Sequence, residues 1–179
     1  YFLFKLIANQ PLVRIGTAVT NFAIKAHLPV EGLIRATVFD HFCGGVNEND
    51  CLSVVDKMYT KGVSSVLDYS VEGKEDEEQF DAALKMTLKT IEFAKERDAI
   101  PFAVFKPTGL GRFELFEKLG DNQILSTTEK EEWNKVVNRF DLICAEAHKK
   151  NVSLLIDAEE SWMQDAADDL VTKMMQKYN

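Results

Sequence analysis

The sequence predicts an α/β fold built on parallel strands, and three observations lead to this prediction. Short apolar runs occur at residues 63–68, 102–106 and 152–157. Each run is continuous rather than alternating, which is typical of parallel strands covered on both faces. Each run is followed by a polar loop and a longer amphipathic helical pattern. Three consecutive strand–helix units with right-handed crossovers are therefore expected.

Residues 1–62 are predicted to form a helical segment that precedes these units. Pro11 breaks the apolar stretch at the start, and the glycine- and asparagine-rich residues 42–51 form a loop. Gly62 suits the end of the last helix in this segment. Nowhere does the sequence contain a run of about 18 apolar residues, so no membrane-spanning helix is predicted. The expected organisation is an N-terminal helical segment, 1–62, and a strand–helix segment, 63–179.

The helix of each unit carries an apolar stripe at spacings of three and four residues. The stripes comprise Phe80, Leu84, Leu88 and Ile91 in the first helix, Trp133, Val136, Val137, Phe140, Ile143, Cys144 and Ala147 in the second, and Ala166, Ala167, Leu170, Val171 and Met174 in the third. Ser126 and Glu129 have capping-box spacing at the start of the second helix, predicted over residues 129–149. Lys149 and Lys150 lie at its end, where the helix dipole favours cations.

Charge and cysteine content exclude several classes of protein. The net charge of −8 argues against nucleic acid as a partner, because phosphate binding requires a basic surface. Cys43, Cys51 and Cys144 are odd in number and lack C-x-x-C spacing. Neither a disulfide framework nor a zinc site is implied, and reduced, buried thiols are expected.

Each of the three predicted strands ends in a charged residue, namely Asp68, Lys106 and Asp157. A single acid at such a place is better explained as a helix cap or a solvated strand end. A lysine between two acids, however, can pair with them or with the carboxylate of a ligand. In barrels of eight strand–helix units, catalytic residues from several strand ends converge on one mouth. The pattern therefore favours a closed barrel over an open sheet.

The glycines of TGLGRF, residues 108–113, are similar to a dinucleotide-binding loop. The third glycine position of that motif is occupied here by Glu114. A carboxylate at this place would face the pyrophosphate, so the nicotinamide interpretation is disfavoured.

The acids Asp157, Glu159 and Glu160 follow the third predicted strand almost directly. Carboxylates at a strand end can hold Mg²⁺ or Ca²⁺. The first turn of a helix also favours acids without any metal. We therefore expect Asp157 to end its strand at the barrel mouth, and Glu159 and Glu160 to start and support the following helix.

The segments VSSVLDYSVEG, FAVFKPTGLGRFELF and VSLLIDAEESW, in this order and with helical spacers, resemble the first three strand segments of the proline dehydrogenase family. The preceding FCGGVNENDCLSVVDKMYTKG is similar to the segment that leads into the barrel of that family. The resemblance implies a distorted (βα)8 barrel that binds FAD non-covalently. It also implies oxidation of L-proline to Δ1-pyrroline-5-carboxylate, the first step of proline catabolism, with electrons passing to a membrane quinone.

The resemblance also assigns roles to three residues of this chain. Lys106 would contact the carboxylate of the substrate, and Asp157 would lie beside the substrate and the flavin. Glu72 matches an acid that pairs with an arginine to cover the substrate as a gate. In addition to these three, Asp68 and Glu159 are expected to support the strand ends.

A complete barrel takes about 250 residues, whereas residues 63–179 supply three units. The chain is therefore expected to be an N-terminal part, with most flavin contacts and the arginine pair that grips proline beyond Asn179. The implied location is cytoplasmic, peripheral at the inner membrane, or alternatively mitochondrial. An alternative of another class is a non-enzymatic part-barrel module that docks with another chain.

Overall fold

The computed structural model describes Lys5, residues 8–69 and residues 75–179. The chain divides into two compact units, Tyr1–Val46 and Asn47–Asn179. The predicted boundary after residue 62 was drawn where the first strand–helix unit begins, and it stays a prediction.

The first unit is helical in its described part. Helix α1 (Gln10–Lys25) begins at Asn9, whose side-chain oxygen accepts a hydrogen bond of 3.2 Å from the Leu12 N–H, and Pro11 lies in its first turn. A second helical stretch consists of α2 (Glu31–Ile34), a π-helical turn (Arg35–Phe39) and α3 (Asp40–Phe42). Proline is accepted at the start of α1 because the first N–H groups of a helix have no partner within it.

The second unit begins with α4 (Glu48–Tyr59), which is capped by the side chain of Asn47. Val55 of α4 packs with Ala94, Ala99 and Ile100 in a small buried cluster. This helix therefore belongs to the same packed body as the strands.

The strands are β1 (Val66–Leu67), β2 (Phe102–Phe105) and β3 (Ser153–Ile156). They form one parallel sheet in the order β1-β2-β3, as the sequence predicted. The prediction of a six-residue first strand was wrong, since β1 has two residues. Pro101 directly precedes β2 and has no N–H to donate, so pairing between these strands begins only at Phe102.

Within the described residues, four α-helices follow α4, namely α5 (Glu77–Lys95), α6 (Phe113–Gly120), α7 (Thr127–Lys150) and α8 (Ser161–Tyr178). Helices α5, α7 and α8 correspond to the three predicted stripes, and the capping box of Ser126 and Glu129 is present. Helix α6 was not predicted, because eight residues are too few to show a repeated stripe. Within the described residues, no helix combines the length and the apolar content needed to cross a bilayer.

The two faces of the sheet differ in burial. Ala103 and Phe105 of β2 belong to the main core, where the Phe105 ring lies edge-on to Phe140 of α7 with 5.0 Å between ring centroids. The opposite face carries Phe102 and Leu155, which are 37% and 42% exposed. The expectation that both faces are covered is therefore wrong for the described residues, where helices cover one face.

The three cysteines lie in different environments. Cys144 of α7 is buried, Cys51 is partly buried and Cys43 is exposed. All three are thiols, but the expectation of burial is right only for Cys144. Cys43 is exposed because it follows α3, outside the packed helical stripes.

Candidate functional site

The register of β2 and β3 places Lys106 and Asp157 opposite each other at the carboxyl edge of the sheet. Phe105 pairs with Ile156, and the Asp157 N–H continues the ladder by donating to the Phe105 carbonyl oxygen at 3.0 Å. Side chains alternate between the faces of a strand. Lys106 and Asp157 therefore lie on the face that the helices leave exposed.

The ammonium of Lys106 lies between two carboxylates. Its Nζ forms an ion pair with Asp157 Oδ2 and lies 3.7 Å from Asp68 Oδ2. The Lys106 side chain is 14% exposed, whereas both carboxylates are more than 40% exposed. This confirms the predicted geometry of three charged strand ends at one edge, with the lysine flanked by the acids. A cation held in this way can bind an anionic group while the acids face solvent.

A short turn holds the backbone of Lys106 at the end of β2. Pro107–Gly109 form a 3-10 turn in which the Gly109 N–H donates to the Lys106 carbonyl oxygen at 3.0 Å. Lys106 itself has extended angles, φ −104° and ψ 134°. Extended angles are favoured for a residue that precedes proline, so the sequence Lys-Pro sets this geometry locally.

The side chain of Glu159 contacts this turn rather than the helix that follows β3. Its Oε2 accepts a hydrogen bond of 2.8 Å from the Thr108 N–H, and its Oε1 accepts one of 2.5 Å from Thr108 Oγ1. The expectation that Glu159 starts and supports α8 is therefore wrong for its side chain, although its N–H donates to Gln164 Oε1 of α8 at 3.2 Å. Glu160 does stand at the start of α8, as its N-cap, but makes no side-chain capping bond. The acids after β3 thus have separate surroundings.

A buried arginine, missed by the sequence analysis, holds the same loop further along. Arg139 of α7 is 4% exposed and donates from Nη1 to the Leu110 carbonyl oxygen at 3.0 Å. Its Nε donates to Asp81 at 3.0 Å, and its Nη2 also binds Glu77. The sequence signal was the place of this arginine on the apolar stripe, directly before Phe140.

Arg112, at the N-cap of α6, makes a third attachment of the loop. Its Nε and Nη2 donate to Glu132 Oε2 at 2.9 and 2.7 Å. These hydrogen bonds raise the pKa of the Arg112 guanidinium above its ordinary value. The loop after β2 is thus attached to α7 at both Leu110 and Arg112.

The glycine-rich part of this loop serves packing. A Cβ added at Gly111 would collide with the side chain of Val136 on α7. Glycine is therefore required because the loop backbone lies directly against the helix.

Lys106 also lines a small cavity together with Tyr69, Val104 and residues of α5. The cavity has a volume of about 20 Å³, which is room for roughly one water molecule. Glu72, the predicted gate residue, lies outside the described residues.

The sequence model of the family described as proline dehydrogenase matches residues 51–179. Among curated proteins, the chain is similar to the carbapenem antibiotics biosynthesis protein CarD of Pectobacterium carotovorum subsp. carotovorum. The two are 32% identical over 178 residues, which cover 98% of this chain and 47% of the relative.

Two mitochondrial enzymes are further relatives. Proline dehydrogenase 1 of Arabidopsis thaliana is 26% identical, over 90% of this chain and 41% of the relative. Proline dehydrogenase 1 of Dictyostelium discoideum is 24% identical, over 84% of this chain and 33% of the relative. The chain spans about half or less of the length of these curated relatives. Since the family model covers well over half of the chain, the protein belongs to the proline dehydrogenase family.

Proposed function

We propose that this chain supplies the Lys106 side of the active site of a flavin-dependent enzyme that oxidises L-proline to Δ1-pyrroline-5-carboxylate, the first step of proline catabolism. Membership of the family supports an oxidoreductase that acts on proline. The observation that carries the proposal is the Lys106 ammonium, which lies between Asp68 and Asp157 at the strand ends of the matched segment.

Proline is a zwitterion, and the charges at the strand ends are complementary to it. Lys106 has three N–H donors, so it can bind the carboxylate of proline and keep its contact with Asp157. The exposed oxygens of Asp157 and Asp68 can accept from the secondary ammonium of the substrate. We propose Lys106 and Asp157 as the substrate-contacting pair and Asp68 as support for it.

Oxidation of proline removes a hydride from C5 and a proton from nitrogen, and it leaves a C5=N double bond. Water can accept the proton. FAD supplies the acceptor of the hydride when it is bound. The contribution of Lys106 is positional, because an anchored carboxylate limits where C5 can lie. No strong acid is required from this chain.

The described residues fit the substrate better than they fit the flavin. The cavity that Lys106 lines, about 20 Å³, is far too small for a flavin ring system. We propose that Asp157 and Lys106 form one polar wall beside a non-covalently bound FAD, and that most of its site lies beyond Asn179.

For the architecture, we propose that residues 63–179 are the first three units of a (βα)8 barrel, preceded by the helical segment 1–62. The parallel order of the sheet and the helices on one face support this. In a closed barrel, the face with Phe102 and Leu155 would be the interior, which is filled by side chains. Glu72 is proposed as the gate acid in the loop after β1.

We further propose that the electrons pass to a membrane quinone through peripheral contact with the inner membrane, from the cytoplasmic side. The names of two relatives support the mitochondrial alternative. Co-sedimentation of the full-length enzyme with lipid vesicles tests the contact. Equal recovery in the supernatant with and without vesicles would contradict it.

The relative named for carbapenem antibiotics biosynthesis favours a second candidate, in which the same residues oxidise a proline-type amino acid for biosynthesis. Stopped-flow bleaching of the flavin by proline and by ring-substituted prolines, in the full-length enzyme, separates the two. Fast reduction by proline supports the first candidate, and a strong preference for a substituted ring supports the second. A flavin that none of these amino acids reduces would favour the non-enzymatic part-barrel module that docks with another chain.

A further inference from the structure

The loop after β2 is attached to the rest of the protein at three alternate residues. Leu110 and Arg112 are held by α7, as described above. Thr108, the attachment nearest to Lys106, is held by Glu159. Glu159 lies in the segment after β3, which also carries Asp157.

We infer that Glu159 is a positioning residue, which holds the turn after β2 and thereby directs Lys106 toward Asp157 and the substrate. The inference rests on the proposed role of Lys106 in binding the carboxylate of proline. It assigns to one short segment, residues 157–159, the placement of both members of the ion pair.

The turn transmits the position of Thr108 to Lys106. Gly109 donates to the carbonyl oxygen of Lys106, and Leu110 donates to that of Pro107, each at 3.0 Å. The N–H of Thr108 takes part in neither of these bonds, since the first N–H groups of a helical turn have no partner within it. Glu159 satisfies this N–H and the hydroxyl of the same residue. Movement of Thr108 would therefore carry the Lys106 backbone with it.

Glu159 is itself held from the side of α8. Its N–H donates to Gln164 Oε1 at 3.2 Å, and Gln164 Nε2 donates to Asp168 at 2.6 Å. Both carboxylate oxygens of Glu159 are engaged by Thr108. The Glu159 carboxylate thus binds Thr108, whereas Asp157 contacts the ammonium directly, and we therefore assign Glu159 a positioning role and not a catalytic one.

The kinetic test uses the full-length enzyme with Glu159→Ala, Lys106→Ala and the double variant. Glu159→Ala is expected to raise the KM for proline at least five-fold, roughly the effect of losing one hydrogen bond, while kcat changes less. In the double variant, KM should equal that of Lys106→Ala alone, because residues that act through one another are not additive. If Glu159→Ala raises KM by the same factor in the wild type and in the Lys106→Ala background, the inference is overturned.

Conservative and neighbouring variants control for general damage. Glu159→Gln should have a KM close to that of the wild type, since its amide oxygen can accept from the Thr108 N–H and its NH₂ can donate to the hydroxyl. Glu160→Ala removes an adjacent carboxylate without a capping bond and should leave KM unchanged. If Glu159→Ala does not fold, Thr108→Val replaces it in the test. This variant should raise KM by a smaller factor in the wild type and should not raise it further in the Lys106→Ala background.

A second readout does not depend on turnover. The amide of Thr108 should exchange with deuterium slowly in the wild type and in Lys106→Ala, and rapidly in Glu159→Ala. A crystal structure of Glu159→Ala should show the ion pair of Lys106 and Asp157 broken. Unchanged exchange and an intact pair overturn the inference even if the enzyme is active. A wild-type enzyme that does not oxidise proline overturns the proposed function, and the positioning of Lys106 is then judged by these two measurements.

Discussion

The guanidinium of Arg139 in α7 donates a hydrogen bond of 3.0 Å to the carbonyl oxygen of Leu110, and so joins the middle of a helix to the loop that carries Lys106. The same side chain binds Asp81 and Glu77 of α5. At 4% exposure, Arg139 connects three segments of the second unit from within its core.

Arg139→Met is expected to lower the free energy of unfolding by roughly 1–3 kcal/mol, because the buried carbonyl of Leu110 would lose its donor. Urea unfolding of the isolated chain, followed by circular dichroism, measures this. Lys135→Ala is the matched control, since Lys135 lies on the same helix, 3.5 Å from the same Glu77, but is 55% exposed. It should change the value by less than about 0.5 kcal/mol. Equal effects of both substitutions would argue against a special role for Arg139.

Lys106→Ala in the full-length enzyme should raise the KM for proline roughly ten- to a hundred-fold, the equivalent of one charge-assisted hydrogen bond. Steady-state dye reduction measures this. Lys150→Ala is the control, because Lys150 is similarly exposed, at 16%, and pairs with Glu92 and Glu146 where α7 leads into β3, at the opposite end of the sheet. An unchanged KM for Lys106→Ala would remove this residue from substrate binding.

The 179 residues alone should neither retain FAD nor oxidise proline, although Lys106 and Asp157 are present. The proposed site places most flavin contacts elsewhere, and each lost charge-assisted hydrogen bond weakens binding by roughly 1.5–3 kcal/mol. The measurements are an absorbance scan of the purified chain and proline-dependent dye reduction. A yellow protein with stoichiometric flavin, or turnover above buffer, would show that these residues contain more of the site than we propose.

Acid should remove the contribution of Glu129 to stability. The hydrogen bond from Lys118, with those from Ser126, lowers the pKa of the Glu129 carboxyl to about 2. Because the folded-state pKa lies below the unfolded one, this stabilisation is complete above about pH 4.5 and is lost as the pH falls toward 2. The unfolding free energies of wild type and Glu129→Gln should therefore differ most at neutral pH and converge near pH 2. Glu131→Gln, at an exposed residue, is the control. If the difference in unfolding free energy between wild type and Glu129→Gln does not change with pH, the lowered pKa of Glu129 is contradicted.

Cys144 should resist thiol reagents in the folded protein. Burial, with a smaller effect of the Asp141 carboxylate, raises the pKa of its thiol to about 11, so roughly one molecule in a thousand carries the reactive thiolate at pH 8. The exposed Cys43 should react rapidly under native conditions. Labelling with a chromogenic disulfide should give the same native stoichiometry for wild type and Cys144→Ala, and one fewer thiol for the variant in denaturant. A native stoichiometry that falls in Cys144→Ala would disprove this protection.

The sequence was a reliable guide to features that depend on neighbouring residues. The stripes of α5, α7 and α8 follow from spacings of three and four, and the capping box at Ser126 involves groups three residues apart. The parallel order of the strands follows from alternation of strands and helices. The common edge of Asp68, Lys106 and Asp157 then follows from the order of the strands.

Only the tertiary structure decided what the polar side chains contact. Glu159 could be assigned to α8 from its place in the sequence, yet it binds Thr108, 51 positions earlier. Arg139 donates hydrogen bonds to Leu110, 29 positions away in the sequence, and to Asp81, 58 positions away. Periodicity and capping act within a few residues, whereas these bonds form between groups that meet only when separate units pack, so no local pattern could predict them.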